Sequence, residues 1–343
     1  MYFPKPFSLF AKLLICCCWY YCLAAKVQAQ QRPRYTHYMF SNFLVNPAVS
    51  GIENYMELKA GHRQQWVGLE GAPVTSYLSF HAPIGKNFKY ENVNSFGSNG
   101  SNPMSRSYVQ EYRASEPHHG IGFHIISDHA GPFQRNDLNA TYAYHLGLAP
   151  KLNLSVGFGA GMIQSSIAVD RFSSEMITDP AINGAEHRQV RPALSSGIWL
   201  YSPMFFVGIS GEQLVSGLKG DSGDQAGQKL VPHFYGTAGY KVFLGEGIAL
   251  LPSIMLTRVS TTTYLDVNSK LAFKDVFWIG GSYRKRESFS GLAGFNVSHL
   301  FNISYAYDYN TSALRKVSNG SHEIVLGLLL NNRYKVSCPQ NQF

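Results

Sequence analysis

The chain has almost no cysteine where cysteine would shape a fold. Of its five cysteines, Cys16, Cys17, Cys18 and Cys22 crowd the N-terminus and only Cys338 lies beyond. A single remaining thiol forms no internal disulfide, which excludes a small stapled secreted domain. Charge is scarce as well. Asp, Glu, Lys and Arg make up 15% of the residues, against roughly a quarter in soluble domains. The modest basic excess is scattered. Its one cluster, Arg284-Lys285-Arg286, fits a solvated loop tip and not a nucleic-acid surface. After Gln30 no stretch is apolar for the roughly 20 residues that a spanning helix needs.

Motifs that carry chemistry are missing too. Gly157, Gly159 and Gly161 form a G-x-G-x-G run, but it lies within an alternating segment and not between a strand and a helix, so it is no nucleotide fingerprint. Gly208-Ile209-Ser210-Gly211 lacks the spacing of a nucleophile elbow. His118 and His119 are adjacent, and neighbours on a strand face opposite ways. No helical His pair with an interposed Glu occurs. The expectation is a chain without catalytic, cofactor or metal residues.

What is present begins with a targeting segment. Lys5 and Lys12 open it, an apolar run follows from Leu13 to Ala25, and Val27-Gln28-Ala29 reads as a cleavage site. The expected mature chain starts near Gln30. Beyond it, residues alternate. Leu152, Leu154, Val156, Phe158, Ala160 and Met162 are separated by Asn153, Ser155, Gly157, Gly159 and Gly161. Phe301, Ile303, Tyr305, Tyr307 and Tyr309 alternate with Asn302, Ser304, Ala306 and Asp308 in the same way. A period of two puts one set on each face of a strand. The apolar face fits lipid and the small polar face fits a lumen. Aromatics are abundant, with 21 Tyr and 22 Phe, and outer-membrane barrels use such residues as interface girdles.

Fourteen strands are expected, over 54–65, 74–83, 118–128, 135–148, 151–166, 192–200, 203–212, 232–244, 247–259, 262–273, 275–284, 288–297, 300–309 and 321–331. An even count suits a bacterial single-chain barrel. The fold class is therefore all-β, an antiparallel up-and-down transmembrane barrel of the outer membrane. Connection lengths sort by parity. Turns at Ala149-Pro150, Ser202-Pro203, Leu244-Gly245-Glu246, Lys274-Asp275 and Ser298-His299 share one side, expected to be periplasmic, and the longer 167–191, 213–231 and 310–320 share the other. One connection, 85–117, is long and polar on the short-turn side. It reads either as a disordered insertion or as a periplasmic docking segment. The expected organisation is a signal over 1–29, a periplasmic or lumen-plugging segment over 30–53, the barrel over 54–331 and a periplasmic tail over 332–343.

The most specific residues follow the signal. They are Tyr38-Met39-Phe40, Asn46-Pro47-Ala48-Val49-Ser50-Gly51, Arg63-Gln64-Gln65-Trp66-Val67-Gly68 and Gly71-Ala72-Pro73. Asn46-Pro47 and Gly51 are expected to turn the chain before the first strand. Arg63 is expected to point inward to a carboxylate, and Trp66 to anchor at an interface. Gly71-Ala72-Pro73 closes the hairpin into the second strand.

With later segments such as Gly197-Ile198-Trp199-Leu200-Tyr201-Ser202 and Tyr305-Ala306-Tyr307-Asp308-Tyr309, this order resembles the PorP/SprF family of Bacteroidetes. The resemblance covers essentially the whole mature chain. It implies a non-enzymatic outer-membrane component of the type IX secretion and gliding-motility machinery. The implied partners are periplasmic ring and lipoprotein components, exported adhesin or sorting-domain cargo, and outer-membrane lipid. It carries a structural or partner-binding role to Tyr38, Asn46, Pro47, Gly51, Arg63, Gln65, Trp66, Gly71, Ala72 and Pro73. A passive channel or hydrophobic-substrate transporter is the alternative, and an outer-membrane hydrolase is a third reading.

Overall fold

The structure, a computed structural model, describes residues 41–85, 104–167, 188–215, 231–274, 276–285, 287–311 and 313–332. All of them fall within the compact unit Tyr35–Phe343. Fourteen antiparallel strands close into a ring. They are β1 (Met56–Gln64), β2 (Val74–Ile84), β3 (His118–Ala130), β4 (Phe133–Ala149), β5 (Leu152–Ile167), β6 (Arg188–Tyr201), β7 (Phe205–Glu212), β8 (His233–Tyr240, resuming at Val242–Gly245), β9 (Ile248–Val259), β10 (Thr262–Phe273), β11 (Phe277–Arg284), β12 (Ser288–Asn296), β13 (Phe301–Asn310) and β14 (Ser321–Leu330). Each pairs with its sequence neighbours, and β1 pairs with β14 from Met56↔Leu330 to Gln64↔His322. This closure leaves no edge strand in a layer that has no water to satisfy backbone groups.

The alternation in the sequence is the alternation in space. On β5, Asn153, Ser155, Gly157 and Gly159 are buried, whereas Val156, Phe158, Ala160 and Met162 are exposed. Outside the ring, aromatic side chains gather at two levels. Phe273 stacks on Phe277 at 5.4 Å, and Phe295 meets Phe277 at 5.1 Å in a tilted pair, where β10, β11 and β12 meet their short turns. Tyr283 and Phe289 stack at 4.7 Å at the opposite ends of β11 and β12. Two such bands suit the two interfaces of a bilayer.

β8 breaks at Lys241, whose backbone N–H donates to the Met204 carbonyl at 2.7 Å and whose side chain is buried. The end at which β1 begins and β14 finishes is called the near end here, and the other the far end. β3 to β6 are the longest of the ring. Their far-end outward positions are mostly polar, with Ser127, His129, Gln134, Asn136, Gln164 and Arg188 beside the apolar Val190. These strands thus continue beyond the apolar band.

The inside of the ring is packed, and its composition differs from the expected small polar lining. Trp199, Tyr201, Phe206, Tyr235, Leu251, Met255, Trp278 and Leu292 point inward and form one apolar cluster. Large apolar residues face inward because protein rather than water covers them.

Candidate functional site, a filled barrel lumen

The covering material is the chain that leads into β1. Ser41 to Ile52 are buried, folded into two short 3-10 turns over Asn42–Leu44 and Pro47–Val49. The second turn forms for local reasons. The Asn46 side-chain oxygen accepts from the Ala48 N–H at 3.0 Å, and Pro47 occupies the first helical position with no N–H left to satisfy. The Pro47 carbonyl then accepts from Ser50 Oγ at 2.7 Å.

The strands hold this segment through several of its backbone carbonyls. Ser210 Oγ on β7 donates to Val45 O at 2.6 Å and Ser155 Oγ on β5 donates to Ala48 O at 2.7 Å. His145 Nε2 on β4 donates to Ser50 O at 2.8 Å, and His118 Nε2 on β3 lies 3.1 Å from Gly51 O. In the other direction, Asn46 Nδ2 donates to Ile198 O at 3.2 Å on β6 and to Ile209 O at 3.4 Å on β7. The Ser50 and Thr141 hydroxyls are 2.7 Å apart.

Shape matches these bonds. A Cβ at Gly157 would meet the Ala48 backbone, one at Gly120 the Ser50 carbonyl, and one at Gly197 the Asn46 side chain. The glycine-rich run on β5 is therefore a seat for backbone. The His118 and His145 rings stack at 4.5 Å and 4°, with the Tyr201 hydroxyl 3.0 Å from His145 Nδ1. Phe43 packs on His81 at 4.9 Å and on His124 at 5.7 Å. Sequence reasoning missed this four-histidine inner wall. A signal was available, since all four lie on the inward parity of three consecutive strands.

A second segment closes on the near end. A one-and-a-half-turn helix, α1 (Arg106–Glu111), precedes Tyr112, whose hydroxyl accepts from Asn153 Nδ2 at 2.8 Å. The Asn153 side-chain oxygen accepts from both Ser115 N and Ser115 Oγ at 2.9 Å. Lys151 Nζ donates to the Val109 and Gln110 carbonyls at 2.7 and 3.0 Å, placing a cation on orphan carbonyls at a helix C-terminus. Residues 104–117 are thus fixed to the β4–β5 turn. The polar run 86–103 lies outside the described residues.

The motif residues separate into two places. Asn46, Pro47 and Gly51 sit in the lumen. Gln65, Trp66, Gly71, Ala72 and Pro73 form the far-end hairpin between β1 and β2. There Gln65 N donates to Pro73 O at 2.9 Å, Ala72 N to Leu69 O at 3.3 Å, and Trp66 N to Ser321 Oγ at 3.1 Å. Trp66 and Gly71 take the left-handed conformation, with φ of 46° and 70°.

Arg63 lies between the two groups. Its guanidinium donates to Asp308 at 2.6 Å and to Glu323 at 3.0 Å, all three side chains being buried. Arg284 donates to Asp266 at 2.9 Å nearby. Below, Glu57 bridges Lys59 at 2.9 Å and His81 at 3.0 Å. Buried charges persist where they are paired. Tyr38 and Cys338 lie outside the described residues. Among the described residues no group of His, Cys, Asp or Glu is arranged to hold a metal ion.

A closed ring with apolar strands outside and a filled polar and apolar interior defines the class, an outer-membrane β-barrel. A family profile for the type IX secretion system membrane protein PorP/SprF matches residues 27–328. The chain belongs to that family. It is also similar to solved structures. One is the toluene transporter TbuX of Ralstonia pickettii, at 9% identity and TM-score 0.48, over 85% of this chain and 94% of that one. Another is the toluene transporter TodX of P. putida, at 8% identity and TM-score 0.44, over 84% and 94%. A third is Salmonella typhi OmpF, at 9% identity and TM-score 0.35, over 80% and 96%. No match was found among curated proteins.

Proposed function

We propose that this barrel is a non-enzymatic scaffold of the type IX secretion and gliding machinery. Its near end binds periplasmic ring and lipoprotein components, and its far-end loops support export or surface attachment of adhesin or sorting-domain cargo. The observation that carries this reading is the filled lumen. Segment 41–52 occupies the interior and is bonded to β3, β4, β5, β6 and β7. A passive channel or hydrophobic-substrate transporter works through a continuous path, whereas a scaffold works through its surfaces.

Family membership supports the same reading, because the family is a membrane component of a secretion system. The near end offers ordered surface for docking. Residues 104–117 are pinned across it by Asn153 and Lys151. The chain leaves β14 at Asn332, whose side chain donates to His299 O at 2.8 Å. In this reading the signal over 1–29 is cleaved during export, and the near end faces the periplasm.

The test is a crosslinking pull-down from outer membranes. Photo-crosslinkers at Arg106 and Gln110 on the near end are expected to retrieve periplasmic ring components. Crosslinkers at Gly131 and Thr261 on the far end are expected not to. Equal recovery from both ends, or none from either, contradicts the proposal.

A further inference from the structure

We infer that the inner wall of β3 to β7 is a peptide-binding groove, and that segment Ser41–Glu53 is its tethered occupant. The ligand class is a short peptide with an Asn-Pro turn followed by small residues. A second copy of such a peptide, presented in trans, takes the tethered copy's place. This inference rests on the scaffold reading and adds to it a site where a partner segment opens or exchanges the filling of the lumen.

Three observations carry it. First, the wall reads the segment through main-chain carbonyls. Side chains from four different strands donate to or face Val45 O, Ala48 O, Ser50 O and Gly51 O, within 2.6 to 3.1 Å. A segment that merely filled space by hydrophobic contact would not need four strand side chains aligned on its carbonyls. Grooves that bind peptides use main-chain bonds for affinity and pockets for specificity.

Second, the wall is cut to the backbone. Gly120, Gly157 and Gly197 stand where a Cβ would strike Ser50, Ala48 and Asn46 respectively. Three strands thus give up side-chain volume along one line.

Third, the wall also reads the segment's turn through a side chain. Asn46 caps its own turn and reaches the carbonyls of Ile198 and Ile209, which face each other across β6 and β7. Phe43 adds one aromatic contact between His81 and His124. An Asn-Pro turn with an aromatic three residues before it is a recognisable ligand.

The tether gives the native segment a high effective concentration, so exchange is tested where the tethered copy is weakened. The full-length barrel carries Asn46→Ala to weaken it, Cys338→Ser to remove the other thiol of the mature chain, and Val49→Cys as reporter. Val49 is buried against the wall. A synthetic peptide of residues 41–53 is added, and the maleimide labelling rate of the new thiol is followed.

The labelling rate is expected to rise saturably with the wild-type peptide. It is expected to need about fivefold more of a peptide carrying Asn46→Ala, the effect of losing roughly one net hydrogen bond. Full labelling after denaturation verifies the thiol. A rate unchanged at any peptide concentration overturns the inference, since the segment is then a fixed part of the fold. The scaffold proposal survives that outcome if the near-end crosslinks still form. Loss of those crosslinks together with accelerated labelling would sink the scaffold proposal and leave the groove standing.

Discussion

Arg63 on β1 and Glu323 on β14 are register partners across the seam that closes the ring, and the guanidinium donates to the carboxylate at 3.0 Å inside it. The first and last strands of the ring pair here, so this seam joins the strands farthest apart in the sequence. Asp308 on β13 accepts from the same guanidinium at 2.6 Å. One cation therefore ties three strands at the point of closure.

Arg63→Ala leaves two buried carboxylates without that cation. Breaking a buried pair in this way costs about 3–5 kcal/mol. The variant is expected to lose its compact, heat-modifiable gel form at a lower temperature and at lower urea than wild type. Arg63→Ala combined with Asp308→Asn and Glu323→Gln removes the charge imbalance and is expected to regain part of the loss. Urea titration in detergent micelles measures both.

Asn153 serves the near end in a comparable way. Asn153→Ala removes the bonds to Ser115 and Tyr112, each worth about 1 kcal/mol. The barrel is expected to lose no more than that local sum, about 3 kcal/mol, because the ring pairing runs through the backbone and not the Asn153 side chain. The segment 104–117 is expected to become cleavable by added protease. Limited proteolysis followed by mass spectrometry reads the cut sites.

Gly71 takes φ of 70°, and its carbonyl accepts from Gly131 N at 2.9 Å. Gly71→Val forces a β-branched residue into the left-handed region, at a cost of about 1–3 kcal/mol. The far-end hairpin is expected to loosen, with faster proteolysis between Gln65 and Pro73. Gly291→Ala is the control. A Cβ there meets nothing within 4 Å, and its stability is expected to match wild type.

Orientation is testable with single cysteines in short turns, using the Cys338→Ser chain. Ser260→Cys, in the far-end turn between β9 and β10, is expected to react with an impermeant maleimide on intact cells. Glu246→Cys, in the near-end turn before β9, is expected to react only after the outer membrane is opened. The reverse pattern inverts the topology and moves cargo and machine to opposite faces.

The ring was largely legible in the sequence because a barrel repeats one local rule. A period of two sorts side chains to lipid or to interior, and each of the fourteen expected strands corresponds to an observed one. The boundaries moved most at β6, which begins at Arg188 rather than near 192, and at β8, which breaks at Lys241. At the far end of β6 a single outward apolar residue, Val190, stands between Arg188 and Pro192, too short an alternation to signal a strand.

The interior was less legible. Parity says that Trp199 and Phe206 face inward, but not whether water or protein meets them there. Gly157 looked like a small lumen residue, and its reason is the Ala48 backbone brought to it from more than a hundred residues away. Arg63 shows the same limit. An inward charge implies a carboxylate partner, but the two partners lie on β13 and β14, which only closure brings to β1.

Conductance of the purified barrel in a planar bilayer tests the central claim most directly. A barrel filled by segment 41–52 is expected to be silent, and Gly157→Val, which puts a side chain where Ala48 now sits, is expected to open a measurable current. A steady open conductance from the wild-type protein would contradict the account and make it a channel.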